Sequence, residues 1–359
     1  MDILNLLQPH TVDIYHLQEK KYEVSTVPAR SLLHLSRFDL YAKLYYIRYR
    51  KLNSILAKKV YLEHIKTFNP DGKEPGRDDK LGFNSFIISF DQLIDYFEKN
   101  EFDSNISVIP VSENGIILDG AHRIAALAFF DKDVKIVRFS NVLPKCLFNA
   151  EYFINRGLSW DIADIITLEL LNWHNDIHVA CLWPKMGNTK NKNKAIQIIK
   201  KRYPICYKKN LKVTFKSFIK IIIKVYKDQS WVGSENNNYA GATDKALNCY
   251  SKNGFISFVF FQADNLSEVL SLKQDIRNLY PLEKHSIHIT DNIKETKDIA
   301  HFVLDKSTLD NWLYSSKEGT IIRLKETITE RIYYFKKVQW INFKVALYSF
   351  LTLSFLKKK

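Results

Sequence analysis

The sequence predicts a mixed α/β (α+β) chain, and three observations predict it. Strand-like runs alternate with longer runs of helical period. Apolar residues fill 46% of the 359 positions, enough for a sizeable core and too many for a disordered chain. One apolar run, Ile116-Ile117-Leu118, stops at Asp119-Gly120 and gives way at once to a helical pattern, the strand, turn and helix of an α/β unit.

The elements follow in order. Residues 38–66 read as one long helix, with Leu40, Leu44, Ile47, Ile55 and Leu56 at apolar positions. A polar, turn-rich stretch, 69–80, comes next. Phe86 to Phe97 is expected to be helical. Ile106 to Val111 and Ile116 to Leu118 are expected as strands joined by the turn Ser112-Glu113-Asn114-Gly115, then Ala121 to Phe130 as a helix and Val134 to Phe139 as a strand. Helical patterns recur near 147–156 and 159–173, followed by a strand from Ile177 to Trp183. The unpatterned run GNTKNKNK, 187–194, reads as a linker. Beyond it come strand Phe255–Phe261, helix Leu266–Leu279, strand Ser286–Thr290 and helix Asn292–Leu304, with capping-box spacing between Asn292 and Glu295. The expected organisation is a helical extension over 1–66, a phosphate-binding domain over 67–145, a helical connector over 146–186, a second α/β domain over 195–320 and a C-terminal basic-aromatic helix over 325–359.

Charge is unevenly spread. Of a net +14, fourteen Lys or Arg and no acid lie between Ile177 and Lys227, and seven more basic residues without an acid follow Glu330. The remainder is near −7. Charge gathered this way points to an anionic partner: a membrane surface, a nucleic acid or a phosphorylated substrate. The four cysteines, Cys146, Cys181, Cys206 and Cys249, form no Cys-x-x-Cys pair, which argues against a zinc site or disulfide framework and for a reducing compartment. The first ten residues, MDILNLLQPH, lack the charged and apolar regions of a secretory leader, so a cytoplasmic protein is expected.

The chemistry concentrates at Asp119-Gly120-Ala121-His122-Arg123. Glycine lets the backbone turn and lets a ligand approach without a Cβ in the way. The first amides of a helix have no intrahelical partner, and the helix dipole favours an anion there. Arg123 adds a fork of donors suited to phosphate, and His122 supplies a donor or a proton shuttle.

This run resembles the phosphate-binding turn of the ParB/sulfiredoxin-like superfamily, over about residues 70–140. It is most similar to the superfamily's free-serine kinases, which carry Asp-Gly-His-His-Arg. Sulfiredoxins place a reactive cysteine directly before the His-Arg pair, where this chain has Ala121, so peroxiredoxin repair is excluded. The Gly-Glu-Arg-Arg motif of ParB partition proteins is matched only at Gly120 and Arg123. The resemblance implies a ParB/sulfiredoxin-like N-terminal domain, ATP or another nucleotide as cofactor, and a carboxylate preceding the turn as the base that takes the acceptor's hydroxyl proton. Glu74 is the first candidate for that base and Asp78 the second. Mg²⁺ would bind through the nucleotide's phosphates and one carboxylate, with no dedicated metal site.

A second constellation combines the loop from Trp231 through Glu235 to Lys245 with the strand end carrying His288 and Asp291. A phosphate or sugar site is one reading; the other is that Asp291 caps a helix and His288 is a satisfied strand histidine.

Lys212, Lys216, Lys220, Lys224 and Lys227 form one stripe of a helix whose other face is apolar. Such a helix either lies on anionic lipid or packs its apolar face on the domain. The tail VQWINFKVALYSFLTLSFLKKK has the length of a bilayer span but is interrupted by Gln339, Asn342 and Lys344. Peripheral attachment through Trp340, Phe343, Phe350 and Phe355 is expected, against a buried C-terminal helix. Together these features suggest a nucleotide-dependent small-molecule kinase or phosphotransferase, peripheral to the inner membrane face, acting on a small-molecule or glycan acceptor in surface-polysaccharide or lipid-linked glycan synthesis. The competing classes are a ParB-like nucleic-acid-binding regulator, disfavoured by the lack of a recognisable helix-turn-helix, and a nucleotide-gated interaction module without turnover.

Overall fold

The computed structural model describes residues 3–74, 77–187 and 189–308 and shows a mixed α/β protein. The described chain divides into two compact units. The first holds the chain up to Ile177 with Tyr203–Tyr207 and Phe260–Asp264; the second holds His178–Arg202, Lys208–Val259 and the chain from Asn265. The segments that the sequence separates as 1–66, 67–145 and most of 146–186 thus fall in one unit. The expected helix over 325–359 lies outside the described residues.

In the first unit, α1 (Pro9–Tyr15) precedes strand β1 (Tyr22–Pro28). The helix expected over 38–66 is two helices, α2 (Phe38–Arg50) and α3 (Ile55–Phe68). Asn53 takes a left-handed φ of 50° between them, and the Ser54 side chain accepts from the Ala57 amide at 3.1 Å. Asn tolerates that backbone and Ser is a favoured N-cap, so Asn-Ser ends one helix and starts the next. Ile55 and Leu56 consequently face outward, 85% and 44% exposed, rather than serving as core positions.

A two-stranded hairpin, β2 (Lys73–Glu74) and β3 (Arg77–Leu81), leads into α4 (Phe83–Lys99), which buries Phe86, Phe90, Ile94 and Phe97 along one stripe. Strand β4 (Ile109–Val111), α5 (Ala121–Phe129) and β5 (Asp133–Phe139) follow. The sheet runs β1-β5-β4, with β1 antiparallel and β4 parallel to β5. Ile116–Leu118, expected as a strand, makes only a single bridge, Ile117 to Val111. The return is nevertheless tight: the Ser112 amide donates to Ile116 O and the Leu118 amide to Pro110 O, each at 2.9 Å. The Gly120 turn comes too soon after it for a longer ladder. Two helices, α6 (Ala150–Asn155) and α7 (Trp160–Trp173), complete the unit's helical elements.

The remaining elements are β6 (Ile177–Leu182), α8 (Thr189–Arg202), β7 (Ile205–Leu211), α9 (Phe215–Val225), α10 (Ala240–Cys249), β8 (Ile256–Gln262), α11 (Leu266–Asn278), β9 (Ile287–Ile289) and α12 (Ile293–Leu304). Their sheet runs β7-β8-β6-β9, with β9 antiparallel to β6. Strand β6 is buried along its whole length, as expected of a strand covered on both faces.

The expected linker at 187–194 is instead the start of α8. Lys192 is buried there and its ammonium donates to Leu182 O at 3.1 Å and to Phe255 O, while the Asn191 side chain donates to Met186 O at 3.2 Å. These polar side chains satisfy strand-end carbonyls, which a reading of polarity alone misses. In α9 the apolar residues Phe218, Ile221, Ile222 and Val225 are buried, so this helix packs its apolar face inside the unit. No described helix is long and apolar enough to cross a membrane.

Candidate functional site

In the first unit a cavity of about 850 Å³ gathers the DGAHR turn, Glu74 and the N-terminal part of α2. The turn is held by its glycine. Gly120 has φ +85° and serves as the N-cap of α5 without a side-chain cap bond. A Cβ there would stand 2.6 Å from Ile109 Cδ1 and 3.0 Å from Arg123 Nη2, so the position excludes side chains by backbone conformation and by space. Arg123 donates from Nη2 to Asp119 Oδ2 at 3.2 Å, a half-exposed pair across one helical turn. Ala121 lines the cavity at the first helical position.

His122 also lines the cavity, but its ring leans into an aromatic wall. Nε2 lies 2.9 Å from the Tyr61 hydroxyl, and the ring meets Phe90 edge-on at a centroid distance of 4.7 Å. The Tyr61 hydroxyl donates to Phe86 O at 3.2 Å.

Beneath the turn lies a buried ionic network that sequence reasoning missed. Asp39 receives a bidentate pair from Arg37, with Nε–Oδ1 and Nη2–Oδ2 both 2.9 Å, and the Lys43 ammonium at 3.0 Å. Arg37 Nη1 donates to Ile117 O at 2.7 Å and so ties α2 to the segment that enters the turn. Lys43 also reaches His64 Nε2 at 3.2 Å, while His64 Nδ1 donates to Tyr61 O at 2.7 Å. Burial opposes ionisation of Asp39, but Arg37 and Lys43 outweigh it and hold the carboxyl well below the usual range. Burial, reinforced by the neighbouring Lys43 charge, pushes the His64 imidazole down to about 3. The detectable signal was Asp39 and Lys43 set four apart among Phe38, Leu40, Tyr41, Ala42 and Leu44: charges embedded in an apolar face must be paired.

Glu74 reaches the same cavity from β2, half-buried, and its charge is felt by Lys43 and Tyr61. The backbone of Asp78 lies in β3; its side chain lies outside the described residues. Counting formal charges around the cavity, Arg37, Lys43, Arg123 and Lys145 stand against Asp39, Glu74 and Asp119.

The sequence matches no protein-family model and no curated protein. The site therefore rests on its own geometry. A helix opening on a left-handed glycine, an arginine fork beside it and a small excess of cations suit a phosphate group. The volume is that of a small-molecule site. On the α4 side the cavity is lined by Leu93 and by the buried Phe86 and Phe90. Among the described residues, no group of three or more His, Cys, Asp or Glu side chains is placed to hold a metal ion.

The second constellation is partly brought together. Trp231, Lys245, His288 and Asp291 line a cavity of about 810 Å³ in the second unit, whereas Glu235 is exposed in the short turn Glu235–Asn237 and does not line it. His288 is satisfied: Nε2 pairs with Glu295 Oε1 at 2.8 Å, and burial lowers its pKa against the opposing pull of Glu295. Asn292, not Asp291, caps α12, accepting from the Glu295 amide at 2.9 Å. Glu295 Oε2 in return takes the Asp291 amide at 2.8 Å, one residue earlier than a capping box requires. Asp291 itself lies 3.5 Å from Lys273.

Proposed function

We propose that the first unit is a nucleotide-dependent phosphotransferase of ParB/sulfiredoxin-like type, acting on a small hydroxyl-bearing acceptor. The observation that carries the reading is the convergence on one cavity of the Gly120 turn, Arg123 in the first turn of α5, and Glu74 from a separate strand. Phosphoryl transfer asks a protein mainly for positioning and charge stabilisation. The amides opening α5 and the Arg123 guanidinium hold phosphate oxygens; Arg123 exchanges its half-exposed contact with Asp119 for the stronger charge of a phosphate. Glu74 takes the acceptor's hydroxyl proton. His122, braced by Tyr61 and Phe90, keeps the helix start in register and presents its other ring nitrogen to the ligand. ATP or another nucleotide supplies the phosphoryl group, and Mg²⁺ neutralises its phosphates.

The same reading places the protein at the inner membrane face through its basic-aromatic tail, with a small-molecule or glycan acceptor of surface-polysaccharide or lipid-linked glycan synthesis. The test is calorimetric titration of the full chain with ATP and other nucleotides, with and without Mg²⁺. Arg123→Ala is expected to weaken binding by about 1.5–3 kcal/mol, roughly 10- to 150-fold. Unchanged affinity in a folded Arg123→Ala protein would sink the phosphate-site reading; binding without turnover on any hydroxyl acceptor would leave a nucleotide-gated module.

A further inference from the structure

The cavity of the second unit has a charge pattern that the reading above does not use. On one side of it Lys227 pairs with Asp298 and Lys273 with Asp291, and Glu295 hydrogen-bonds the buried His288 imidazole. The other side holds no such pairs among the described residues. Lys245 from α10, Arg277 from α11 and Lys284 from the turn Glu283–His285 converge on the cavity, and no ion pair joins any of the three to an acid among the described residues.

Arg277 and Lys284 each lie close enough to Lys245 to repel its charge. Burial lowers the Lys245 pKa, and the charges of Arg277 and Lys284 push it the same way. Its ammonium is held in place by the Lys284 carbonyl at 2.6 Å and lies 3.5 Å from His285 Nδ1. Arg277 is half-buried, and its Nε is fully enclosed without a hydrogen-bond acceptor among the described residues. An anion supplied from solution would relieve the repulsion that the neighbouring charges of Arg277 and Lys284 exert on Lys245. Two further acids line the cavity, Asp228 and Asp244; both are exposed, and Asp244 acts on His285.

An aromatic plate completes the site. Trp231 lines the same cavity and is 42% exposed, and behind it the Tyr226 ring packs at a centroid distance of 5.0 Å. The plate is fixed by close backbone packing: a Cβ on Gly241 would stand 1.8 Å from Trp231 O, so α10 approaches the Trp231 turn as only glycine allows. An exposed indole face held rigid beside a cation cluster is suited to a ring, either a sugar face or a base.

We propose that this cavity binds a small ring-bearing phosphate ester, with the phosphate among Lys245, Arg277 and Lys284 and the ring on Trp231. A carboxylate would neutralise only one of three cations, whereas a phosphate dianion or diphosphate matches more of them and can take the guanidinium fork in two bonds.

The experiment titrates the full chain calorimetrically with glucose 1-phosphate, uridine diphosphate, inorganic phosphate and glucose. Either ester binding more tightly than inorganic phosphate, with glucose silent, is expected, and the stronger of the two identifies the ring as sugar or nucleoside. Arg277→Gln, at a half-exposed position, and Lys245→Met are each expected to weaken the ester about tenfold or more. Trp231→Ala is expected to weaken the ester about three- to tenfold and to leave inorganic phosphate unchanged. Both esters are also titrated in the Arg123→Ala background, which removes the first unit's phosphate contact, so that binding that persists there belongs to this cavity. The proposal is overturned if neither ester binds at millimolar concentration, if folded Arg277→Gln binds as tightly as the parent, or if Arg123→Ala is the variant that abolishes binding. A failure of nucleotide binding at the first unit's turn bears on that site alone.

Discussion

Asp39 and Glu74 both line the first cavity, but their surroundings fit them for opposite work. Asp39 is locked between Arg37 and Lys43, and its lowered pKa makes it a poor proton acceptor. Its task is to neutralise two buried cations, so Asp39→Asn should destabilise the protein by about 3–5 kcal/mol, read as a fall in the urea midpoint. Glu74 sits half-buried on a two-residue strand and lines the cavity without belonging to that ionic network. Glu74→Gln should leave nucleotide affinity nearly intact while slowing phosphoryl transfer by about 10²–10⁴-fold in a steady-state assay. Turnover at the parental rate would move the base elsewhere, with Asp78 next to test. His64 adds a pH dependence. Its folded-state pKa of about 3 lies below the unfolded value of 6.5, so the unfolded chain binds the extra proton between them. The His64 contribution is therefore fully present above pH 6.5 and is lost as pH falls from 6.5 toward 3. Urea unfolding across pH 7 to 4.5 should show stability falling with pH, and His64→Gln should flatten that slope by up to about 1.4 kcal/mol per pH unit. An unchanged slope would remove His64 from the account.

At the scale of elements, the Gly120 turn is the joint between β4's return and α5. Gly120→Ala would force a side chain into a left-handed backbone and against Ile109 and Arg123. A loss of about 1–3 kcal/mol is expected, seen as a lower Tm, together with weaker nucleotide binding because Arg123 must move. This turn was legible in the sequence because Gly and the switch of hydrophobic period are local signals. So were α4, α7, α11 and α12, whose apolar spacing is long and regular. The break at Asn53-Ser54 was harder, since the apolar pattern of 38–66 continues through it; only the αL-tolerant Asn followed by a capping Ser marks it. Strand β1 escaped notice because it is an edge strand with mostly exposed side chains, which leaves no buried alternation to read. In the candidate site, the turn and Glu74 were visible as motif and loop chemistry. Arg37, Lys43, His64 and Arg277 were not, because what makes them important is pairing, or its lack, across residues far apart in the chain.

For the whole molecule, the basic blocks divide by what backs them. The lysines of α9 stand on a helix that buries Phe218, Ile221, Ile222 and Val225 in the second unit, so most of its apolar face is already used. Under the proposed membrane reading, attachment would fall to the tail, whose aromatic and aliphatic residues would gain free energy at a lipid interface and have no such sink on duplex DNA. Deleting 338–359 is expected to release the protein from anionic vesicles in a cosedimentation assay and to leave nucleotide turnover unchanged. Each lysine near an anionic surface is expected to contribute on the order of 1 kcal/mol, so the α9 stripe retains a weaker, salt-sensitive attachment. Tight DNA binding at the same salt, with no vesicle binding, would favour the regulator instead.

The Arg37–Asp39–Lys43–His64 network also divides the first cavity into a wall that can drift and a wall that cannot. Each side chain of the network compensates a neighbouring buried charge, so under the proposed function a single replacement there would damage stability before it could retune selectivity. Ser89, Gln92 and Leu93 line the opposite, half-exposed side of α4 without belonging to that network. Directed evolution toward a new acceptor should therefore accumulate changes along α4 and leave α2 untouched.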